Sequence, residues 1–144
     1  MKTTTEFTIE TCSEKNIKKI VDGINEYNLN KVPATADVWT KIEFVAKNEE
    51  GIEIGGILGG IGYWSGLEVK ILWVKEAYRK KGIGSKILKH AEKIAIEKGA
   101  VISMLDTFDF QAEEFYLKNG YKPIGEIKDF PKGHRRIYFS KKLK

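Results

Sequence analysis

Residues 67–99 read LEVKILWVKEAYRKKGIGSKILKHAEKIAIEKG, and this stretch decides the fold. Its first part, 67–74, is dense in branched and aromatic apolar residues, as a half-buried or buried strand is. Further on, Ile87, Leu88, Ala91, Ile94 and Ala95 recur at helical spacing, and Gly99 suits the position just past a helix end. Between strand and helix lies Arg79-Lys80-Lys81-Gly82-Ile83-Gly84-Ser85, a basic, glycine-bearing turn feeding a helix N-terminus.

That turn favours an anion. The first turn of a helix has N–H groups without intrahelical partners, and the helix dipole adds partial positive charge there. Gly82 and Gly84 let the backbone approach a ligand closely, and Arg79, Lys80 and Lys81 add full charges. A diphosphate is the natural guest. The spacing is neither G-x-G-x-x-G nor G-x-x-x-x-G-K-S/T, so the dinucleotide and nucleoside-triphosphate fingerprints do not apply.

Composition bounds the rest. The 144 residues suffice for one domain, 1–144, with a real core. The N-terminus MKTTTEFTIE lacks the apolar stretch of a signal peptide, and the uncharged run 54–67 is too short and glycine-rich to span a membrane. Cys12 is the only cysteine, so no internal disulfide can form and a cytoplasmic location is expected; Cys12 itself reads as core. One cysteine and two histidines make a structural zinc site unexpected, and no metal is called for. The 25 basic and 20 acidic residues give a net charge of +5, but the charges interleave along the chain, which argues against nucleic-acid binding.

In chain order, 5–11 alternates weakly around Phe7 and Ile9 and reads as a first strand. Ser13 suits a helix N-cap, and Ile17, Ile20, Val21 and Ile24 mark one face of a helix ending near Tyr27. A loop with Pro33 follows. Strands are expected at 38–47, at the glycine-rich 52–64, at 67–74 and at the apolar 100–106. A helix is expected over 109–119, closed by Gly120, then strands at 121–127 and 135–143. The glycines of 52–64 read as close packing or bulges in preference to room for a substrate. Seven strands with helices on both faces of a mixed sheet make an α/β architecture.

The pattern R-x-x-G-x-G, placed after a strand that ends in Val74, resembles the acetyl-coenzyme A motif of the GNAT superfamily of N-acetyltransferases. A second segment, DFQAEEFYLKNGY at 109–121, is similar to the GNAT pattern N-x-x-A-x-x-L/F-Y-x-x-x-G-F/Y. Ala112, Phe115, Tyr116, Gly120 and Tyr121 match it, and Asp109 stands in the Asn position. A third, Asp129-Phe130-Pro131-Lys132-Gly133-His134, resembles a group of small GNAT acetyltransferases over nearly the whole chain from Val45 onward.

The resemblance implies an acyl-CoA N-acyltransferase fold and transfer of acetyl from acetyl-CoA to a primary amine, by direct attack in a ternary complex. It implies that Arg79, Lys80, Lys81, Gly82, Ile83, Gly84 and Ser85 hold the diphosphate, and that main-chain amides at Leu72, Trp73 and Val74 polarise the acetyl carbonyl. It also implies that Asp109 lies by the pantetheine arm and that Tyr116 meets the leaving thiolate. A base is needed, because an amine of pKa about 10.4 is neutral only about once in 2500 molecules at pH 7. Glu68 and His134 are the candidates, with an ion pair to Lys70 as the alternative role for Glu68. By alternation, Glu68 and Lys70 share a face with Leu72 and Val74, while Trp73 packs in the core beside Val69 and Ile71. The acceptor is expected to be a small molecule, with no nucleic-acid or membrane partner, and a homodimer is left open. A protein or peptide acceptor and a non-catalytic acetyl-CoA-binding module are the other readings.

Overall fold

The structure is a computed structural model that describes residues 4–144. Two compact units divide the chain, one ending at Ala34 and the other spanning Thr35–Lys144.

The first unit contains one helix, α1 (Glu14–Lys31). Ser13 caps it reciprocally: Ser13 Oγ accepts from the Asn16 amide at 3.2 Å, and Asn16 Oδ1 accepts from the Ser13 amide at 2.9 Å. The helix continues past Tyr27, because nothing breaks it until Val32, held extended ahead of Pro33. No strand forms at 5–11, where two alternating apolar residues have no neighbouring strand to pair with. Cys12 is exposed, not core.

The second unit is a mixed sheet of six strands, against the seven expected for the chain. They are β1 (Trp39–Lys47), β2 (Glu53–Gly62), β3 (Gly66–Val74), β4 (Ile102–Phe108), β5 (Lys122–Lys128) and β6 (Arg135–Lys142), in the order β1-β2-β3-β4-β6-β5. Every pairing is antiparallel except β3 with β4. Helix α2 (Ile83–Glu97) packs across β1, β2 and β3. It sets Leu88, Ala91 and Ala95, all fully buried, against Ile42, Ile57, Ile61 and Leu67. The short helix α3 (Glu113–Lys118) begins later than expected. Gln111 Oε1 accepts from the Phe108 amide at 2.8 Å and the Thr107 hydroxyl at 3.2 Å, which holds 109–112 as a turn.

A buried polar knot ties α2 to the far half of the sheet. Tyr121 donates to Glu92 Oε2 at 2.8 Å and meets Ser103 Oγ at 2.7 Å, while Lys141 Nζ reaches Glu92 Oε1 at 2.9 Å. Glu92 is thus buried but paired and hydrogen-bonded, the condition under which a buried charge is tolerated.

Strand β3 departs from simple alternation. Leu58 faces Ile71 and Gly59 faces Val69 across the β2–β3 ladder, leaving Lys70 as an extra residue. This β-bulge inverts the phase of everything after it. Leu67, Val69, Leu72 and Val74 turn toward the helices, and Glu68, Lys70, Ile71 and Trp73 turn away. Trp73 is therefore 47% exposed and not in the core, and Leu72 and Val74 do not share a face with Glu68 and Lys70.

The glycines of β2 serve this packing. A Cβ on Gly59 would run into the Glu68 carbonyl oxygen at the bulge, and one on Gly60 into the Trp39 ring. Gly59→Ala is expected to cost about 1–3 kcal/mol, because a main-chain carbonyl cannot swing aside. Gly62→Ala, where nothing lies within 4 Å, should be close to neutral by comparison. Thermal melts of the two variants check this; equal melting temperatures would show that β3 can relax away from β2.

Candidate active site

The bulge opens the sheet. Strands β3 and β4 pair only at Gly66 with Ile102, Leu67 with Ser103 and Glu68 with Met104. Past that point β3 bends away, and a cleft of about 520 Å³ separates the strands, lined by Glu68, Lys70, Met104, Asp106, Arg136 and Tyr138 among others. Asp106 Oδ1 accepts from Arg136 Nε at 2.8 Å, and the Arg136 guanidinium sits between the Phe108 and Tyr138 rings, 5.7 and 5.5 Å from their centroids. Lys70 Nζ lies 4.6 Å above the Trp39 ring. Glu68 makes no ion pair with Lys70 or with any other of the described residues.

Leu72, Trp73 and Val74 occupy the end of β3 beyond the last rung to β4, so no strand covers that edge of their backbone. Arg79 folds back to close this end, its Nε donating to the Val74 carbonyl at 2.9 Å. Lys80 takes a left-handed backbone, φ 62°. Gly82 is the N-cap of α2 with φ 80°, and no side chain caps the helix. A Cβ on Gly82 would meet nothing within 4 Å. The amides of Ile83, Gly84 and Ser85 thus have no side-chain cap, and two exposed lysines, Lys80 and Lys81, precede them in the chain. Gly84 serves packing instead. A Cβ there would press on the Phe115 ring at 3.2 Å, so this glycine lets α3 approach α2. Ser85 Oγ accepts from Asn119 Nδ2 at 3.3 Å and joins the same two helices.

Tyr116 projects from α3 into the wall between helix and sheet, 6% exposed, against the rings of Phe115, Tyr121 and Phe139. Among the described residues its hydroxyl has no hydrogen-bond partner. Burial, with a smaller contribution from the Asp106 charge, pushes its pKa up to about 12. The phenol therefore keeps its proton at any ordinary pH.

His134 ends the β5–β6 connection. Its Nδ1 lies 2.9 Å from Asp109 Oδ1, and its ring meets Phe110 edge-on at 5.1 Å. Asp109 Oδ2 accepts from the Arg135 amide at 3.0 Å, so both oxygens of Asp109 are engaged by the start of β6. His134 is not among the residues lining the β3–β4 cleft.

An acetyltransferase (GNAT) domain model matches residues 39–123. The chain belongs to the GNAT acetyltransferase family. A crystal structure of an acetyltransferase from Bacillus cereus is 37% identical and superposes with a TM-score of 0.87, covering 94% of this chain and 97% of that one. The blasticidin-S acetyltransferase of Streptomyces morookaense is 39% identical over 89 residues, 61% of this chain, and the match spans 65% of that enzyme's length. An acetyltransferase of Agrobacterium fabrum is 28% identical over 127 residues, 88% of this chain and 90% of that one. The α/β fold and the acetyl-CoA-dependent class of enzyme expected from the sequence are thus shown at the level of the GNAT family.

In this GNAT protein Glu68 lines the β3–β4 cleft, the end of β3 runs on beyond the last rung to β4, the Arg79–Ser85 loop leads into α2, and Tyr116 packs against Phe139, itself a cleft-lining residue, while His134 and Asp109 are not in the cleft lining. Sequence reasoning missed Asp106 and Arg136. Their alternation with buried Leu105 and Ile137 places each on the outer face of its strand, but only the β4–β6 pairing brings them together. Among the described residues no group of three or more His, Cys, Asp or Glu could hold a metal, and no helix is long and apolar enough to cross a membrane.

Proposed function

We propose that this protein transfers the acetyl group of acetyl-CoA to a primary amine of a small molecule, which attacks the thioester directly in a ternary complex. The observation that carries this reading is the gap between β3 and β4. It leaves main-chain groups at the end of β3 uncovered, and the same unit carries an uncapped α2 N-terminus and a Tyr116 hydroxyl with no hydrogen-bond partner among the described residues. These features fit acetyl-CoA. The α2 amides with Lys80 and Lys81 match a diphosphate. The free edge at Leu72, Trp73 and Val74 matches the acyl carbonyl, where fixed amides stabilise developing negative charge without reorganising.

Acetyl-CoA supplies an activated acyl group on a thiol leaving group. Glu68, in the cleft, accepts the amine's proton directly or through a water. Tyr116 offers its hydroxyl to the departing sulfur. A cleft of about 520 Å³ suits a small acceptor, and one of the related enzymes acts on blasticidin-S, a small molecule. The lone Cys12 thiol fits a reducing, cytoplasmic setting.

The test is a calorimetric titration with acetyl-CoA at two salt concentrations, followed by a screen of amines for release of free thiol. Saturable micromolar binding and amine-dependent thiol release are expected. Absence of binding would overturn the reading, and salt-dependent affinity for any duplex would replace it with nucleic-acid binding.

The base is tested separately. The reaction speeds up with pH as the base loses its proton, which gives kcat/KM an acidic limb. Glu68→Gln is expected to remove that limb and lower kcat/KM roughly a hundredfold, whereas His134→Ala should leave the limb in place. The reverse pattern in the pH–rate profiles would assign the base to His134.

A further inference from the structure

The geometry points to an acceptor that carries a carboxylate as well as its reactive amine, such as an amino acid, a dipeptide or a similar zwitterion, with the carboxylate held by Arg136. This inference rests on the acetyl-transfer reading and narrows the acceptor.

The two neighbouring arginines of β6 are used differently. Arg135 spends both terminal nitrogens on protein carboxylates, Nη2 on Glu113 at 3.0 Å and Nη1 on Glu126 at 2.8 Å. Arg136 donates only Nε, to Asp106 at 2.8 Å. Its two terminal nitrogens form no hydrogen bond among the described residues. Arg136 also lines the cleft, while Arg135 does not. The rings of Phe108 and Tyr138 and the bond to Asp106 fix its orientation, so the free nitrogens form a preset fork of the shape that matches a carboxylate.

The charges of the cleft fit a zwitterion. Glu68 and Asp106 are acidic, Lys70 and Arg136 basic. A site for a polycation would repel its ligand with the two basic groups, and a site for a plain anion would do so with the acidic ones. Glu68 stands opposite Met104 on the β3–β4 ladder, and Asp106, which holds the Arg136 guanidinium, follows Met104 by two residues, so Glu68 and Arg136 line one cleft.

The experiment measures thiol release from acetyl-CoA with a panel of amino acids and dipeptides, with the carboxamide of each, and with simple diamines. At least one free carboxylate is expected to show a KM roughly ten- to a hundredfold below that of its carboxamide, with that preference lost in Arg136→Gln and partly kept in Arg136→Lys. Acetyl-CoA titration of each variant checks that it is folded. Carboxamides or diamines used as well as the carboxylates, no acetylation of any carboxylate probe, or a preference that survives Arg136→Gln would overturn the proposal. Should the wild-type chain bind acetyl-CoA and acetylate diamines, only the zwitterion assignment falls. Should it fail to bind acetyl-CoA, the acetyl-transfer reading falls with it.

Discussion

Tyr116→Phe is expected to lower kcat roughly a hundredfold while leaving affinity for acetyl-CoA within about twofold. The substitution removes one oxygen from a packed ring and leaves the contacts with Phe115, Tyr121 and Phe139 in place. What it removes is a hydroxyl with no hydrogen-bond partner among the described residues. With its pKa pushed to about 12, the phenol is a poor proton donor to a thiolate. Full transfer to a thiol of pKa about 8.5 would be uphill by roughly 5 kcal/mol. On the proposed reading the hydroxyl therefore serves as a hydrogen-bond donor that steadies the leaving sulfur, and the proton comes to the thiolate from solvent. The alkaline limb of the rate profile should accordingly show no Tyr116 ionisation below about pH 12. Stability carries a matching signature. The raised folded-state pKa means that stability from the protonated phenol is fully present below pH 10 and lost as pH rises toward 12. Tyr116→Phe should reduce that loss without abolishing it, since Tyr121 is buried and raised as well. A mutant with undiminished kcat would return Tyr116 to a packing role.

Gly82→Asp is expected to weaken acetyl-CoA binding by roughly a hundredfold or more, because it sets a carboxylate at the mouth of an uncapped helix where the diphosphate would lie. Backbone strain has to be separated from charge, since Gly82 has φ 80°. Asn and Asp share a shape and tolerate the left-handed region better than other side chains. Gly82→Asn thus carries the strain without the charge, and it should lose far less affinity than Gly82→Asp in the same calorimetric titration. Equal losses would place the anion elsewhere.

The central strand, turn and helix are legible in the sequence because each carries a side-chain signal: an apolar run, paired glycines, a 3.6-residue period. The phase of β3 is not legible. A bulge is a backbone event, and Lys70 looks the same whether it is an extra residue or an ordinary one. The available signal lies in the neighbouring strand, where Gly59 is required by the Glu68 carbonyl that the bulge thrusts toward it. The strand expected at 5–11 rests on Phe7 and Ile9 alone, and alternation that short does not distinguish a strand from an irregular segment. Asp106 and Arg136 lie thirty residues apart and become a pair only through strand order, which a single sequence does not encode locally. Gly84 reads in the sequence as room for a ligand, and in the fold it is room for Phe115.

The three-rung contact between β3 and β4 also bears on how such a protein can diversify. It divides the sheet into two contiguous stretches of chain, β1–β3 before α2 and β4–β6 after it. The parts suited to the shared donor, the β3 edge and the helix mouth, belong mostly to the earlier stretch. Asp106, Arg136 and Tyr138, which line the cleft proposed for the acceptor, belong to the later one. Substitutions that retune acceptor choice can accumulate in the β4–β6 stretch without passing through the donor loop, so new specificities can be sampled while the donor site is inherited intact.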